Sequence, residues 1–383
     1  MSNLNTQTPF VPGRLQQMST RVAFFIAGFG IAAWAPLVPY AKARAGLDEG
    51  TLGLLLLCLG VGSILAMPMA GMLSTRFGCR RVAVGGTLLI CAALPLLATV
   101  SSVPALMAAL FMFGAGLGTV DSTVNLQAVI VERASGKTMM SGFHGLFSLG
   151  GIVGAAGVSA LLGLGISPLG ATLVVVLVLI AALFKAAPHM LPYGSESSGP
   201  AFAVPHGIVL FIGGMCFIVF LAEGAALDWS AVFLVQERGI ATAYAGLGYA
   251  AFALTMTVGR LTGDTLVHRL GATRVIVCGG LLAAGGLFLA TFAPDWEVAL
   301  VGYAMLGAGC SNIVPVLYTA VGKQTVMPES IAVPAITTLG YAGILAGPAV
   351  IGFIAHGSSL SFAFGLMALL LVAVAIGGKV LKV

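Results

Sequence analysis

Charge is scarce in this chain. Its 383 residues include 17 Lys or Arg and 12 Asp or Glu, 8% in all, where soluble domains carry about 25%. Apolar residues make up 59% and the mean hydropathy is +1.09. So little charge excludes a soluble globular domain and points to an all-α polytopic membrane protein. Cysteine is also sparse. Cys58, Cys79, Cys91, Cys216, Cys278 and Cys310 lie in or beside apolar segments with no CxxC pair, so neither a disulfide framework nor a zinc site is expected. There is no phosphate-binding GxxxxGK[ST] loop and no metal-ligand cluster, so ATP-driven transport, an enzyme and a cofactor are not expected. The residues before Arg21 are polar and show no secretory signal pattern, so the first apolar run is expected to persist as a span.

What the chain has instead is long apolar runs. At about 20 residues per crossing, they predict twelve spans near 21–41, 51–74, 82–100, 104–130, 139–163, 168–187, 207–228, 243–264, 275–293, 298–321, 330–355 and 361–378. An even number puts both termini on one side of the bilayer. On that side fall thirteen Lys or Arg, against three (Lys42, Arg44, Arg238) on the other, with Arg260 inside span 8. Positive charge marks the cytoplasmic face, so both ends are predicted inside. The net charge of +5 then reflects topology, and no nucleic-acid partner is implied.

Between spans 6 and 7 lies the only long linker, 188–206, rich in Pro, Gly and Ser. It divides the chain into predicted six-helix bundles, 1–187 and 207–383. A shift of 193 residues matches Arg76-x-Gly78 to Arg269-x-Gly271, Arg81 to Arg274, Gly114-Ala115-Gly116 to Gly307-Ala308-Gly309, and Gly150 and Gly154 to Gly343 and Gly347. One offset joining separate regions predicts a parallel repeat, with a site near the midplane between its halves.

The stretch that stands out is Gly114–Glu132, with Asp121 in the middle of an otherwise apolar span. An acid at that depth costs about 2.5 to 3.5 kcal/mol to insert, and such residues usually face a cavity and do work. Asn125, Gly114 and Gly118 share its helix face. A carboxyl group sheltered from water there is suited to holding and releasing a proton. Glu223, in span 7, is a cavity candidate on the same ground, with snorkelling toward the outer end as the alternative. His144 could relay protons or merely cap a helix. Asn125 and Asn312 can bind a hydroxylated solute, though Asn312 could equally join two helices. Trp34 could stack on a sugar ring or belong to the interfacial belt, which is favoured for Trp229. Arg260 and Asp264 are spaced to pair with each other on span 8, as a structural or latching contact.

The loop after span 2 reads Gly71-x-x-x-Thr75-Arg76-x-Gly78-x-Arg80-Arg81. It resembles the signature loop of the major facilitator superfamily, with Thr75 where that signature has aspartate. A degenerate copy runs from Gly263-Asp264 to His268-Arg269-x-Gly271-x-x-Arg274. With twelve spans and the repeat, the resemblance covers the whole chain. It implies two six-helix pseudo-repeats that move by alternating access. Gly71, Arg76, Gly78, Arg80, Arg81, Arg260, Asp264 and Arg269 are then candidates for a latch, beside their role in topology.

Within that superfamily three stretches are similar to the branch holding fucose-permease-like and YbjJ/MosC-type proteins. They are Asp121-x-x-x-Asn125, His144-Gly145-x-x-Ser148-x-Gly150, and Ala222-Glu223-Gly224 with Asp228-Trp229. The resemblance implies a bacterial inner-membrane location, a monomer, and an Asp121 that belongs to a proton and solute site. The chain departs from the sugar porters in span 1, where it lacks their second acid near Ala35. The expected function is proton-coupled uptake of a small polar solute such as a sugar, polyol or inositol-like compound. Its partners would be that solute, protons and the bilayer. The alternative is an exporter of drugs or metabolites, weakly disfavoured because span 5 reads Gly154-Ala155 rather than Gly-Pro. A sensor or scaffold would need a soluble domain or long tails.

Overall fold

A computed structural model describes residues 12–47, 49–195, 204–240 and 246–381. Among these residues the secondary structure is helical throughout: α1 (Arg14–Ala32), α2 (Val38–Ala45), α3 (Glu49–Phe77), α4 (Cys79–Thr99), α5 (Val103–Ser135), α6 (Met140–Gly163), α7 (Pro168–Ala186), α8 (Gly207–Arg238), α9 (Leu247–Leu270), α10 (Ala272–Phe292), α11 (Trp296–Cys310), α12 (Ile313–Lys323), α13 (Glu329–Gly357) and α14 (Leu360–Val380). Helices satisfy every backbone group within one segment, which an apolar environment demands.

Eleven described segments are long and apolar enough to cross a bilayer. The exception is α9, of similar length at 24 residues, because it carries Arg260, Asp264, His268 and Arg269. It runs over Leu247–Leu270, beyond the predicted 243–264, and residues 241–245 lie outside the described chain. Several helices outrun their apolar stretch in the same way. α5 continues through Glu132 and Arg133, and α8 through Glu237 and Arg238. Each then stops on a left-handed glycine, Gly136 at φ 64° and Gly239 at φ 64°.

Two predicted spans are interrupted. The first breaks after α1 into a short 3-10 turn, Ala35–Leu37, before α2, where Pro36 and Pro39 deprive the helix of amide donors. The tenth breaks between α11 and α12 at Ser311 and Asn312. Pro315 explains this break. It has no N–H to give the carbonyl of Ser311, four residues back, and its ring crowds that carbonyl.

The helices α1 and α3 to α7 pack among themselves, as do α8 to α14. The repeat is visible in the backbone. Gly78, in the turn between α3 and α4, has φ 83°, and its counterpart Gly271, between α9 and α10, has φ 81°. Gly114 lies so close to the backbone of Leu59 that any Cβ would collide, and Gly307 stands in the same relation to Phe252, 193 residues after Leu59. Small residues permit such close helix approach in membranes. Arg44 donates to the carbonyls of Leu97 (2.7 Å) and Val100 (3.0 Å), and Arg238 donates to that of Thr291, so an arginine grips the end of a helix in both halves.

Across the halves, α3 packs on α13, α6 on α9, and α12 on both α5 and α6. These contacts leave the candidate site at the seam.

Candidate functional site

Asp121 lies deep in α5 yet remains partly exposed. Its carboxylate has one described hydrogen bond, from the Asn125 amide at 3.3 Å, and the same amide donates to the Asp121 carbonyl at 2.9 Å. The four-residue spacing of a helix face creates this pair. No basic side chain pairs with Asp121 among the described residues. Tyr318 of α12 and Tyr341 of α13 come within reach of its charge from the other half. Asn125 is buried, and its Oδ1 has no hydrogen-bond partner among the described residues.

His144 is buried on α6, with its ring 5.2 Å from that of Phe24 and 5.5 Å from that of Tyr318. It therefore stands between aromatic rings of the two halves. Its Nε2 is also without a hydrogen-bond partner among the described residues, and the charge of Arg260 reaches the ring.

Arg260 occupies a different place from the one its sequence spacing suggests. It does not pair with Asp264. Its guanidinium turns inward and donates to Glu223 Oε1 at 3.2 Å, to Ser148 Oγ at 3.0 Å, and through Nε to the Ser311 carbonyl at 3.4 Å. That last acceptor is the carbonyl left free by Pro315. Glu223 and the helix break offer the buried cation acceptors that a neighbour on its own helix could not match. Asp264 instead accepts from the backbone N–H of Gly142, at the start of α6, at 3.1 Å. It thus caps a helix of the opposite half.

Asn312 sits at the break and donates to the Gly259 carbonyl at 3.0 Å and to Ser311 Oγ at 2.9 Å. Its Oδ1 is buried and has no hydrogen-bond partner among the described residues. Gly263 makes room for that amide against Ser141 of α6, since a Cβ there would collide with both. Buried polar atoms are seldom left unpaired, and each such atom calls for an explanation. Asn125, His144 and Asn312 present three of them near the seam.

Trp34 is buried at the end of the first span among apolar side chains, its indole N–H without a hydrogen-bond partner among the described residues. Trp229 is partly exposed on α8 and lies against Gly352 of α13.

The arrangement combines an acid of one half, with no ion pair among the described residues, an ion pair in the other half, and a proline-broken helix beside that pair. A family model for the Major Facilitator Superfamily matches residues 22–237 and 207–382. An MFS-type transporter of Yersinia pestis is 54% identical over 380 residues, covering 99% of both chains. The chain belongs to the major facilitator superfamily. It is a multi-pass membrane transporter and not an enzyme. The membrane protein MosC of Rhizobium meliloti is 30% identical over 362 residues, covering 92% of this chain and 86% of that one. The crystal structure of the E. coli fucose:proton symporter FucP shares the fold, with a TM-score of 0.79 at 17% identity over 96% of this chain and 98% of that one.

In this superfamily member the signature loop does only part of what its sequence suggests. Gly71 touches the backbone of Ser330 on α13, a close approach between the halves. Thr75, standing in for the signature aspartate, turns its hydroxyl back to the Gly71 carbonyl at 3.2 Å. Arg76 lies over the Phe77 ring at 5.1 Å. Arg76, Arg80, Arg81 and Arg269 are exposed and form no ion pair among the described residues. Gly78 holds its positive φ against the Pro192 carbonyl.

The halves are joined at this arginine-rich end by other residues. Arg133 pairs with Glu329. Glu132 takes the hydroxyl of Thr319 on one oxygen and the N–H groups of Met139 and Met140 on the other, at 2.7 and 2.8 Å. Thr138 donates to the Asp264 carbonyl at 3.1 Å. Sequence reading passed over Glu132, Arg133 and Glu329 because charges at helix ends look like topology signals. It passed over Pro315 too, although a proline inside a predicted span beside Asn312 marks a break.

Proposed function

We propose that the protein carries a small polar solute, such as a sugar, polyol or inositol-like compound, inward with protons across a bacterial inner membrane, both termini lying in the cytoplasm. Residues 1–187 and 207–383 act as two bodies about the 188–206 linker, and the unit is a monomer. The observation that carries this reading is the Asp121–Asn125 pair, an acid at mid-depth with an amide as its only described partner. A carboxyl group so placed is neutral when protonated and calls for a counter-charge when it is not, so its proton state is tied to what occupies the seam. Asn125, His144 and Asn312 supply free hydrogen-bonding atoms of the kind hydroxyl groups satisfy. Glu223 and Arg260 form the opposite wall, and Trp34 closes the outer part of the first span.

FucP is described as a fucose:proton symporter, and the shared fold makes an intramembrane acid a sensible coupling group here. In this account proton and solute bind to the outward state, and the halves then rock to release both inside. Asp121→Asn keeps the shape of the site and removes the titratable group. The variant is expected to lose proton-driven accumulation in membrane vesicles while retaining exchange of solute down its own gradient. Normal accumulation by Asp121→Asn would sink the assignment.

A further inference from the structure

At the arginine-rich end of the bundle, away from the seam, a cavity of roughly 310 Å³ opens between the α3–α4 turn and the first residues of the linker. Arg76, Arg80 and Arg81 line it together with Phe77, Pro192 and Tyr193. We infer that this cavity binds the phosphate-bearing headgroup of an anionic membrane lipid.

Three features of the molecule support the inference. The first is rigidity. Arg80 N–H donates to the Leu191 carbonyl at 2.8 Å and Cys79 N–H to that of Tyr193 at 3.2 Å, while Leu191 N–H donates to Gln127 Oε1 at 3.1 Å. The linker is thereby strapped to the start of α4, and the cavity exists before any ligand arrives. The same bonds occupy the first two amides of α4, so the guanidinium groups are left to hold an anion.

The second is uncompensated charge. No carboxylate pairs with Arg76, Arg80 or Arg81 among the described residues. Guanidinium forks match phosphate oxygens in a bidentate way that an ammonium cannot. The corresponding turn of the other half, beside Arg269 and Arg274, meets the end of α14 instead, through Thr273 Oγ1 to the Leu381 carbonyl at 3.4 Å.

The third is the approach. Val61, Leu65, Met69 and Met72 are exposed on α3 and follow one another at helical spacing, and Arg76 comes four residues later on the same face. Ser63 and Ser74 turn the opposite side of α3 toward α5, through the Gly114 carbonyl and Thr123. An acyl chain lying along the exposed stripe puts its phosphate at Arg76, with the exposed Phe77 ring beneath that guanidinium. Free phosphate would have no use for the stripe. This contact favours a lipid as the source of the phosphate.

The test is native mass spectrometry of the full-length protein in detergent. It would be offered phosphatidylglycerol or phosphatidylcholine of the same acyl chains, with thermal unfolding measured in parallel. The wild type should retain phosphatidylglycerol preferentially and be stabilised by it. Each arginine near an anionic lipid is worth about 1 kcal/mol, so Arg80→Gln with Arg81→Gln should lower retention on the order of thirtyfold. Arg274→Gln, which lies outside the cavity, should leave retention unchanged. Equal retention of the two lipids would overturn the site, as would undiminished binding by the double variant. Stabilisation reproduced by inorganic phosphate alone would overturn the lipid assignment.

Discussion

The two carboxylates of the seam differ in one respect, and their proposed roles rest on that difference. Asp121 has an amide beside it, while Glu223 has a guanidinium at 3.2 Å. A buried arginine beside a carboxylate favours its charged form, a pull that an amide does not supply. In the proposed account Glu223 is a counter-charge that keeps Arg260 in place. Breaking a buried pair by removing one partner costs about 3 to 5 kcal/mol, whereas replacing both charges is often nearly neutral. Glu223→Gln should accordingly lower the unfolding temperature more than Glu223→Gln combined with Arg260→Met. If the double variant is the less stable of the two, the pair is not an isolated charge couple. At this scale the contact between Asp121 and Asn125 was legible in the sequence, since four-residue spacing puts them on one helix face. The sequence was read poorly for Arg260. Helical spacing offered Asp264 as a partner, while the true partners, Glu223, Ser148 and the Ser311 carbonyl, lie 37 to 112 residues away.

At the scale of elements, the irregular pieces mark the site. α11 and α12 form one span in length but not in hydrogen bonding, and the gap at Ser311 gives Arg260 one of its three acceptors. Non-helical backbone at membrane depth is tolerated where protein or a cavity satisfies it. Pro315→Ala would return an N–H to the Ser311 carbonyl and make the span continuous. The intrinsic gain is up to about 3 kcal/mol in favour of the helix. The variant should unfold at a higher temperature and transport less, because Arg260 loses an acceptor and Asn312 is drawn into the helix. A Pro315→Ala protein that transports as well as the wild type would show that the break has no part in the mechanism. The existence of the helices was legible in the apolar runs, and their ends were not. Ends are set by left-handed glycines such as Gly136 and Gly239 and by charged residues beyond the apolar stretch, which hydropathy does not register.

For the whole molecule, the 193-residue repeat was the strongest long-range signal in the sequence, and it returns as paired backbone features at Gly78 and Gly271 and at Gly114 and Gly307. The contacts between the halves were not legible, because they join residues that no periodicity relates. They close the arginine-rich end through Arg133 with Glu329, Glu132 with Thr319, and Asp264 with the start of α6. In the proposed account, inward release requires these contacts to part. Arg133 is well exposed, so its pair with Glu329 is worth at most about 1 kcal/mol, or roughly fivefold in the balance between closed and open. Glu329→Gln should raise the alkylation rate of a cysteine placed at Thr319 by no more than that factor. An unchanged rate would mean that the pair does not contribute to closure. The central claim, that solute binding and the proton state of Asp121 are one event, is tested most directly in unbuffered detergent solution. Purified protein would be mixed with a panel of sugars, polyols and amphipathic cations while the pH is recorded, beside Asp121→Asn. The account predicts a pH change with one class of polar solute that vanishes in the variant. A solute-dependent change of equal size in Asp121→Asn would contradict it.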